Sequence, residues 1–452
     1  MNTKDMTKGS PARLLIGFSL PLLAGNLFQQ FYSMADSIIV GKGVGVGAFA
    51  AVGATLWVGF LILGFVTGLT GGFTILTAQC FGAGDAVGLR HTYTQGTILS
   101  VAISLVFTGA STACTMPLLK LLNTPEDILQ DAYIYLFITF AGTLPTVMYN
   151  FYGSVLRALG NTKGPLYVLI ISAIVNVVLD LIFVLPLKMG VAGAALATVI
   201  AQALSAVLCW ALLRQYEILR TTREDWKLYL PMQKKLIVLG IPMALQNSII
   251  SIGGIIIQAF VNGYGSACVA GYSAASRIQG IVDQLGYTLG LAMATYSGQN
   301  LGARKMDRIR AGLRQSAWIT AISSTVLGVL MALFNRPVLL MFVDAAETET
   351  LAAAAQYLYI LGPCEAILAL LFLYRSALQG MGNTLVPMIS GVVELGMRVA
   401  VAFIFSDLLN LGYFGVCMAE VGAWIGAVAL LIPACYATIT RKTREFSPKT
   451  AQ

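Results

Sequence analysis

Long apolar blocks, separated by short polar segments, run along the whole sequence. Each block has about 20 or more mostly apolar residues and is bounded by charges, glycines or prolines. The blocks are apolar on every face, whereas barrel strands alternate over about ten residues, so the pattern predicts helices. The predicted spans are 14–40, 47–79, 92–119, 127–152, 164–187, 190–214, 235–261, 266–298, 310–334, 350–374, 385–406 and 412–439. We therefore expect an all-α polytopic membrane protein with twelve transmembrane helices.

The composition agrees with this pattern. Of the 452 residues, 57% are hydrophobic and 11% are charged, whereas about 25% are charged in typical soluble proteins. This balance excludes an ordinary soluble enzyme, and the aliphatic and aromatic content excludes disorder. The seven cysteines have no paired spacing, and His91 is the only histidine. We expect no metal site and no cofactor.

Lys and Arg residues are distributed unequally between alternate loops. Of the 28, 22 lie in the amino terminus, the even-numbered loops and the carboxyl tail; they include Arg375 in the tenth loop and Lys449 in the tail. Four lie on the opposite side, while Arg277 and Arg398 lie inside spans. The positive-inside rule then places both termini in the cytoplasm of a cell-membrane protein. Because the basic residues cluster at loop ends and not on one helix face, we expect contact with anionic lipids rather than with nucleic acid.

The second half of the chain repeats the first at a nearly constant offset. The matched residues are Pro21 and Pro242, Asn26 and Asn247, Gln79 and Gln299, Arg90 and Arg310, Gln95 and Gln315, Gly160 and Gly382, Pro165 and Pro387, and Gly190 and Gly412. Six spans per copy imply parallel copies related by an axis along the membrane normal. We predict an amino-terminal lobe (1–214), a cytoplasmic linker (215–234) and a carboxyl-terminal lobe (235–452). Such duplication favours alternating access, although retention for folding alone is the other interpretation.

Several motifs resemble those of one transporter family. They are Pro21 and Asp36 with Val40 and Gly41, 50–53 (AAVG), 79–85 (QCFGAGD), 156–163 (LRALGNTK), the spacing of Asn176 and Asp180, and 298–303 (GQNLGA). In this order the motifs resemble multidrug and toxic compound extrusion (MATE) transporters, over essentially the whole chain. The resemblance implies two six-helix lobes arranged as a V and drug export driven by inward flow of H+ or Na+.

Within that family the sequence looks closest to the branch that includes DinF-like and MepA-like exporters. The acidic residue expected in the seventh span of the NorM-like branch is missing, and Gln246 and Gln258 are the only candidates there. This departure argues against NorM-type coupling through the carboxyl-terminal lobe.

Acidic residues inside spans are costly and are therefore functional candidates. Asp36 is the clearest one, because it shares its span with Pro21, which can kink the helix. Asn176 and Asp180 are four residues apart and share a helix face, and Thr198 lies in the next span. The resemblance places all four in an amino-lobe cation site for H+ or Na+. The other interpretation is that these side chains only fix helix packing.

The second repeat lacks this constellation. Ile257, Arg398, Ala402 and Glu420 stand where the first copy has Asp36, Asn176, Asp180 and Thr198. We predict a structural ion pair in which Arg398 binds Glu420, Glu394 or both. Arg277 is expected to pair with Asp283, with substrate contact as the alternative.

Substrate contacts are less sharply defined by the sequence. Aromatic and polar residues near Asp36, and acidic or polar residues of the second half, are the cavity candidates: Phe28, Gln29, Tyr32, Met34, Gln246, Asn247, Arg277 and Glu365. Aromatic faces and a carboxylate suit bulky organic cations, although aromatic stripes are more often packing. We expect small-molecule drugs or metabolites as substrates and a functional monomer.

Two further functions are weighed against a drug:cation antiporter. A lipid-linked oligosaccharide flippase of the same superfamily would share the architecture but should carry more cavity cations than Arg277 and Arg398. Residues 82–85 spell the GxGD motif of intramembrane aspartyl proteases, but they lie at a loop, their repeat copy has no acid and no span carries a Tyr-Asp partner. We therefore do not expect an enzyme.

Overall fold

The computed structural model describes residues 4–121 and 124–446, and within them every regular element is helical. The α-helices are α1 (Pro11–Gly43), α2 (Val46–Ala83), α3 (Ala86–Leu121), α4 (Glu126–Ala141), α5 (Thr143–Ala158), α6 (Lys163–Val184), α7 (Gly190–Leu213), α8 (Leu230–Asn262), α9 (Ser266–Gly302), α10 (Met306–Leu333), α11 (Asn335–Leu339), α12 (Thr348–Leu361), α13 (Glu365–Gly380), α14 (Leu385–Ala402) and α15 (Tyr413–Phe446). Every predicted span corresponds to one long helix or to two consecutive helices, so the all-α prediction is confirmed. Lys449 of the tail lies outside the described residues.

Ten helical stretches of the described chain are long and apolar enough to cross a membrane. The pair α4 and α5, bent by 49°, makes an eleventh if it is one span. The predicted eighth span, α9, is 37 residues long but is not among them. Its many Gly and Ser residues, together with Arg277 and Asp283, lower its hydropathy.

The helices form two compact units. The first unit consists mainly of Ala24–Asn247, and the second of Met6–Leu23 together with the described residues from Ser248 onward. The boundaries therefore fall inside α1 and α8, close to Pro21 and Pro242, which lie within these two helices. A proline removes one backbone hydrogen bond and is a common cause of helix kinks.

The first turns of α1 and α8 are anchored by hydrophobic burial. Leu15 and Phe18 of α1 are each 1% exposed and belong to the core of the second unit, with Tyr296. Leu236 of α8 is fully buried in the core of the first unit, with Phe151. Each of these two helices thus contributes residues to both units.

Candidate cation-coupling site

Two carboxyl groups meet inside the first unit. Asp36 lies on α1, one turn after Tyr32, and Asp180 lies near the end of α6, one turn after Asn176. The Asp36 and Asp180 side chains are within hydrogen-bonding range of each other. Asn176 and Asp180 are both 0% exposed. The structure therefore brings together the two acids that the sequence analysis had grouped.

The amide of Asn176 connects this pair to α7. In the orientation that satisfies both of its neighbours, its nitrogen donates to Asp180 Oδ2 over 3.1 Å and its oxygen accepts from the Thr198 backbone N–H over 3.2 Å. The Thr198 hydroxyl shares a hydrogen bond with Tyr32. All four predicted coupling residues, together with Tyr32 from the cavity candidates, thus form one network between α1, α6 and α7.

The carboxyl groups retain unused acceptor capacity. Asp36 Oδ1 and Asp180 Oδ1 are both buried, and neither accepts a hydrogen bond from the described part of the chain. No described Lys or Arg contributes to the electrostatic surroundings of either group. Two carboxylates in contact repel one another strongly unless a proton or a cation lies between them. The site is chemically suited to bind H+, and its oxygens are also of the type that binds Na+.

Two tyrosines near this network were missed by the sequence analysis. Tyr135 of α4 is close enough to interact electrostatically with Asp36, Asp180 and Tyr32, and Tyr149 of α5 similarly influences Tyr32. Both hydroxyls lie inside predicted spans, which was the available signal. Because many tyrosines in spans serve only in packing, the sequence offered no reason to select these two as site residues.

The corresponding place in the second unit holds a chain of ion pairs. Arg398 of α14 donates through Nε and Nη2 to Glu420 Oε2 on α15, at 3.1 and 2.9 Å. The same Nη2 lies 3.1 Å from Glu394 Oε1. The structure thus brings Arg398, Glu394 and Glu420 together, as the repeat comparison predicted.

Arg375 extends this chain and requires a correction. It was assigned to the tenth cytoplasmic loop, but it lies within α13, is 5% exposed and donates to Glu394 Oε2 over 2.7 Å. A buried guanidinium needs a compensating carboxylate, and Glu394 supplies it. Arg375 therefore belongs to the interior of the second unit and gives no evidence on orientation.

The repeat also explains how the large guanidinium fits. The alignment of the two copies that matches Asp36 with Ile257 also matches Tyr32 with Gly253. A Cβ atom added at Gly253 would collide with Nη1 of Arg398. In the first unit this helix position provides a phenol that bonds Thr198; in the second it provides the space that Arg398 occupies.

The remaining candidates are placed individually. Asn247 donates to the Gly64 carbonyl over 3.0 Å, Gln246 is buried and Phe28 is half-buried. Gln29 and Met34 are exposed. The network around Asp36 is built from Tyr32, Asn176, Asp180 and Thr198.

Arg277 and Asp283 are not paired in the structure, which corrects that prediction. Arg277 lines an open cavity of about 550 Å³ with Asp344 and Glu347. Asp283, further along α9, instead lies within hydrogen-bonding range of Glu365. The separation of Arg277 and Asp283 is not a whole number of helical turns, so the two side chains leave α9 on different faces.

Comparison with known proteins agrees with this architecture. Residues 21–182 and 242–404 each match the family model described as MatE. The chain is 28% identical to "Probable multidrug resistance protein YoeA" of Bacillus subtilis (strain 168), covering 95% of this chain and 94% of that protein. It is 22% identical to "Multidrug export protein MepA" of Staphylococcus haemolyticus, covering 88% of each.

A solved structure described as "Crystal structure of MATE in complex with MaL6" has the same fold. It aligns with a TM-score of 0.92 at 22% identity, covering 98% of this chain and 100% of that chain. The two matches to the family model fall in the two halves of the chain, as the internal repeat requires.

Proposed function

This chain belongs to the MatE family, and on that premise we propose that it is a secondary active antiporter that exports small organic molecules in exchange for H+. The supporting relatives are named multidrug resistance and multidrug export proteins. Their names do not support the flippase alternative. The expected substrates are organic compounds, cationic or amphipathic, and the expected location is the cell membrane with both termini in the cytoplasm.

The observation that carries the choice of H+ is the contact between Asp36 and Asp180. A hydrogen bond between two carboxyl groups requires a proton on one of them. Inside a membrane span, two adjacent negative charges are costly, so the pair resists the loss of its shared proton. We propose that the pair holds a proton in one state and releases it in another, with Asn176 and Thr198 fixing the geometry.

The helix that carries Asp36 supports a conformational role for this proton. Residues of α1 up to Leu23 belong to the second unit, and those from Ala24 onward to the first. Pro21 lies beside this boundary. A change of charge at Asp36 therefore acts on a helix shared by both units, and a bend near Pro21 would convert protonation into alternating access.

Dye efflux from energised membrane vesicles tests the proposal. We expect efflux to collapse on addition of a protonophore and to be unaffected by removal of Na+. Asp36→Asn should abolish coupled efflux, whereas Asp127→Asn, which alters an exposed acid at the start of α4, should leave it unchanged. Efflux that requires Na+ and resists the protonophore would reject H+ coupling, and normal efflux in Asp36→Asn would remove the pair from the mechanism.

A further inference from the structure

A second pair of carboxyl groups lies in the second unit, away from the ion-pair chain. Asp283 of α9 and Glu365, the first residue of α13, are within hydrogen-bonding range of each other. Glu365 is 2% exposed. Asp283 Oδ1 and Glu365 Oε1 are buried and accept no hydrogen bond within the part of the chain that the structure describes. Neither residue is used by the proposed coupling site.

Helix packing holds Glu365 closely. The helix break at Gly362–Cys364 places Glu365 opposite α10, where Gly328 provides close contact. A Cβ atom at Gly328 would lie 2.9 Å from Glu365 Cγ. The side chain of Glu365 thus packs between α10, through Gly328, and α9, through Asp283 and Gln279.

A short relay of hydrogen bonds orients the pair. Tyr357 of α12 donates its hydroxyl proton to Gln279 Oε1 over 2.7 Å. Because the amide oxygen is occupied in this way, the amide nitrogen of Gln279 is left to donate, and this side chain lies within hydrogen-bonding range of Glu365. Among residues 4–121 and 124–446, one side-chain donor therefore serves the pair, which is insufficient for two ionised carboxylates.

The charged groups around the pair do not neutralise it. The other titratable neighbours among the described residues are Cys364 and Glu420, and Tyr357 reaches the pair through Gln279. Glu420 is an acid and is already paired with Arg398, so no described cation is available to Asp283 or Glu365. Two adjacent carboxyl groups without a cation must share at least one proton.

This pair has no counterpart in the first repeat. The alignment of the two copies matches Glu365 with Thr143, which begins α5 at the bend of the fourth span. It matches Asp283 with Ile62 or Leu63, depending on where the gap in the second span is placed, and both are apolar. The two carboxyl pairs therefore occupy different positions of the repeated fold.

We propose that Asp283 and Glu365 form a second proton-binding site, in which one proton is shared by the two carboxyl groups and Gln279 positions Glu365. The site goes beyond the proposed coupling through Asp36, because it binds its proton in the other unit and through different helices. We assign H+ and not a metal cation, because Tyr357 already occupies the Gln279 oxygen and close packing of Glu365 against Gly328 leaves only the two carboxyl groups of the described chain as oxygen ligands, whereas metal cations of this type take about six.

Infrared difference spectroscopy of the purified full-length protein, titrated with pH, detects this proton directly through the C=O stretching band of protonated carboxyl groups. We expect Glu365→Gln and Asp283→Asn to remove one component of that band. Asp36→Asn should remove a different component, and Glu349→Gln, which changes an exposed acid, should remove none. Persistence of the Asp36-dependent component in Glu365→Gln shows that this variant is folded.

An unchanged carboxyl band in a folded Glu365→Gln protein would overturn the proposal. Loss of the Glu365-dependent component on addition of Na+ at constant pH would also overturn it, because it would show that the site takes Na+. The spectrum is recorded without transport and therefore tests this site independently of efflux. Failure of Asp36→Asn to impair efflux would reject the coupling mechanism above but would not contradict proton binding at Asp283 and Glu365.

Discussion

At the scale of single residues, matching positions of the two repeats surround a carboxyl pair in the first unit and hold an arginine–glutamate ion pair in the second. Asn176 and Thr198 surround a carboxyl pair that can gain or lose a proton, whereas Arg398 and Glu420 at the matching positions are joined by hydrogen bonds of 2.9 and 3.1 Å. Arginine keeps its charge at any physiological pH. We therefore propose that the second position is permanently occupied by this ion pair, which stabilises its unit.

Removing Arg398 should consequently damage stability more than ion coupling. Arg398→Ala leaves Glu394 and Glu420 buried without this cation, and breaking a buried ion pair from one side costs roughly 3–5 kcal/mol. We expect a much lower melting temperature in detergent and a lower protein level in membranes. Vesicle efflux, normalised to the protein present, should keep its ion dependence. A normal protein level with altered ion dependence would show that Arg398 belongs to the coupling machinery.

Gly253 provides a second test at this scale. Gly253→Ala places a methyl group against the Arg398 guanidinium, and overpacking of this kind costs about 1–3 kcal/mol. Gly396→Ala is the matched control, because a Cβ at that position of α14 meets nothing within 4 Å and alanine favours the helix. We expect the first variant to melt at a lower temperature than the parent and the control to melt no lower. Equal melting of all three would mean that α8 does not constrain Arg398.

At the scale of helices, equivalent glutamines hold the first turn of α1 and the segment that precedes α8. Gln95 accepts from the Tyr229 N–H at 3.1 Å and donates to the Lys227 carbonyl at 2.9 Å. Gln315, its repeat partner, accepts from the Ala12 N–H at 3.1 Å. The two helices that contribute to both units therefore begin from anchored positions.

Asp225 reinforces the anchor before α8. Burial opposes its ionisation, but hydrogen bonds from Thr222 and the charges of Arg90 and His91 outweigh this effect and lower the pKa of Asp225. A lowered pKa means that the carboxylate stabilises this contact at neutral pH. That contribution is lost only in acid, as the pH falls through the lowered value.

Loosening the anchor before α8 should affect motion rather than folding. Gln95→Ala removes the bonds to Lys227 and Tyr229, so we expect faster hydrogen exchange in the linker and at the start of α8, and slower efflux. Gln130→Ala, at an exposed position of α4, is the control and should change neither. Unaltered exchange in Gln95→Ala would show that hydrophobic burial, including that of Leu236, suffices to hold the helix.

The helices themselves could be predicted because apolar blocks of span length allow few other structures in a membrane. The bend between α4 and α5 was not predicted, although Gly142 and Pro145, in the first turn of α5, mark the position. The placement of Arg375 was also wrong. Counting charges assigns a basic residue near a span end to a loop, whereas Arg375 is buried and is neutralised by Glu394 on the next helix, α14.

At the scale of the whole molecule, the repeat made part of the candidate site predictable. The family resemblance grouped Asp36 with Asp180, and matching the two copies then grouped Arg398 with Glu420, because the alignment transfers spatial neighbours from one half to the other. The pair of Asp283 and Glu365 has no copy to compare, and the helices α10, α11 and α12 separate its members along the chain. Only the packed structure brings them together.

Two carboxyl pairs predict the charge moved in one transport cycle. If each pair exchanges one proton, export of a monovalent organic cation returns two protons and moves one net charge across the membrane. The membrane potential then contributes about 2.3 kcal/mol per 100 mV to the movement of this net charge.

In proteoliposomes without a pH gradient, a potassium diffusion potential should therefore drive transport of such a cation by the parent protein and by Glu349→Gln. Glu365→Gln retains one proton for one cation, which is electroneutral, and should not respond to the potential. Potential-driven transport that persists undiminished in Glu365→Gln would limit the second pair to a proton that is bound but never exchanged.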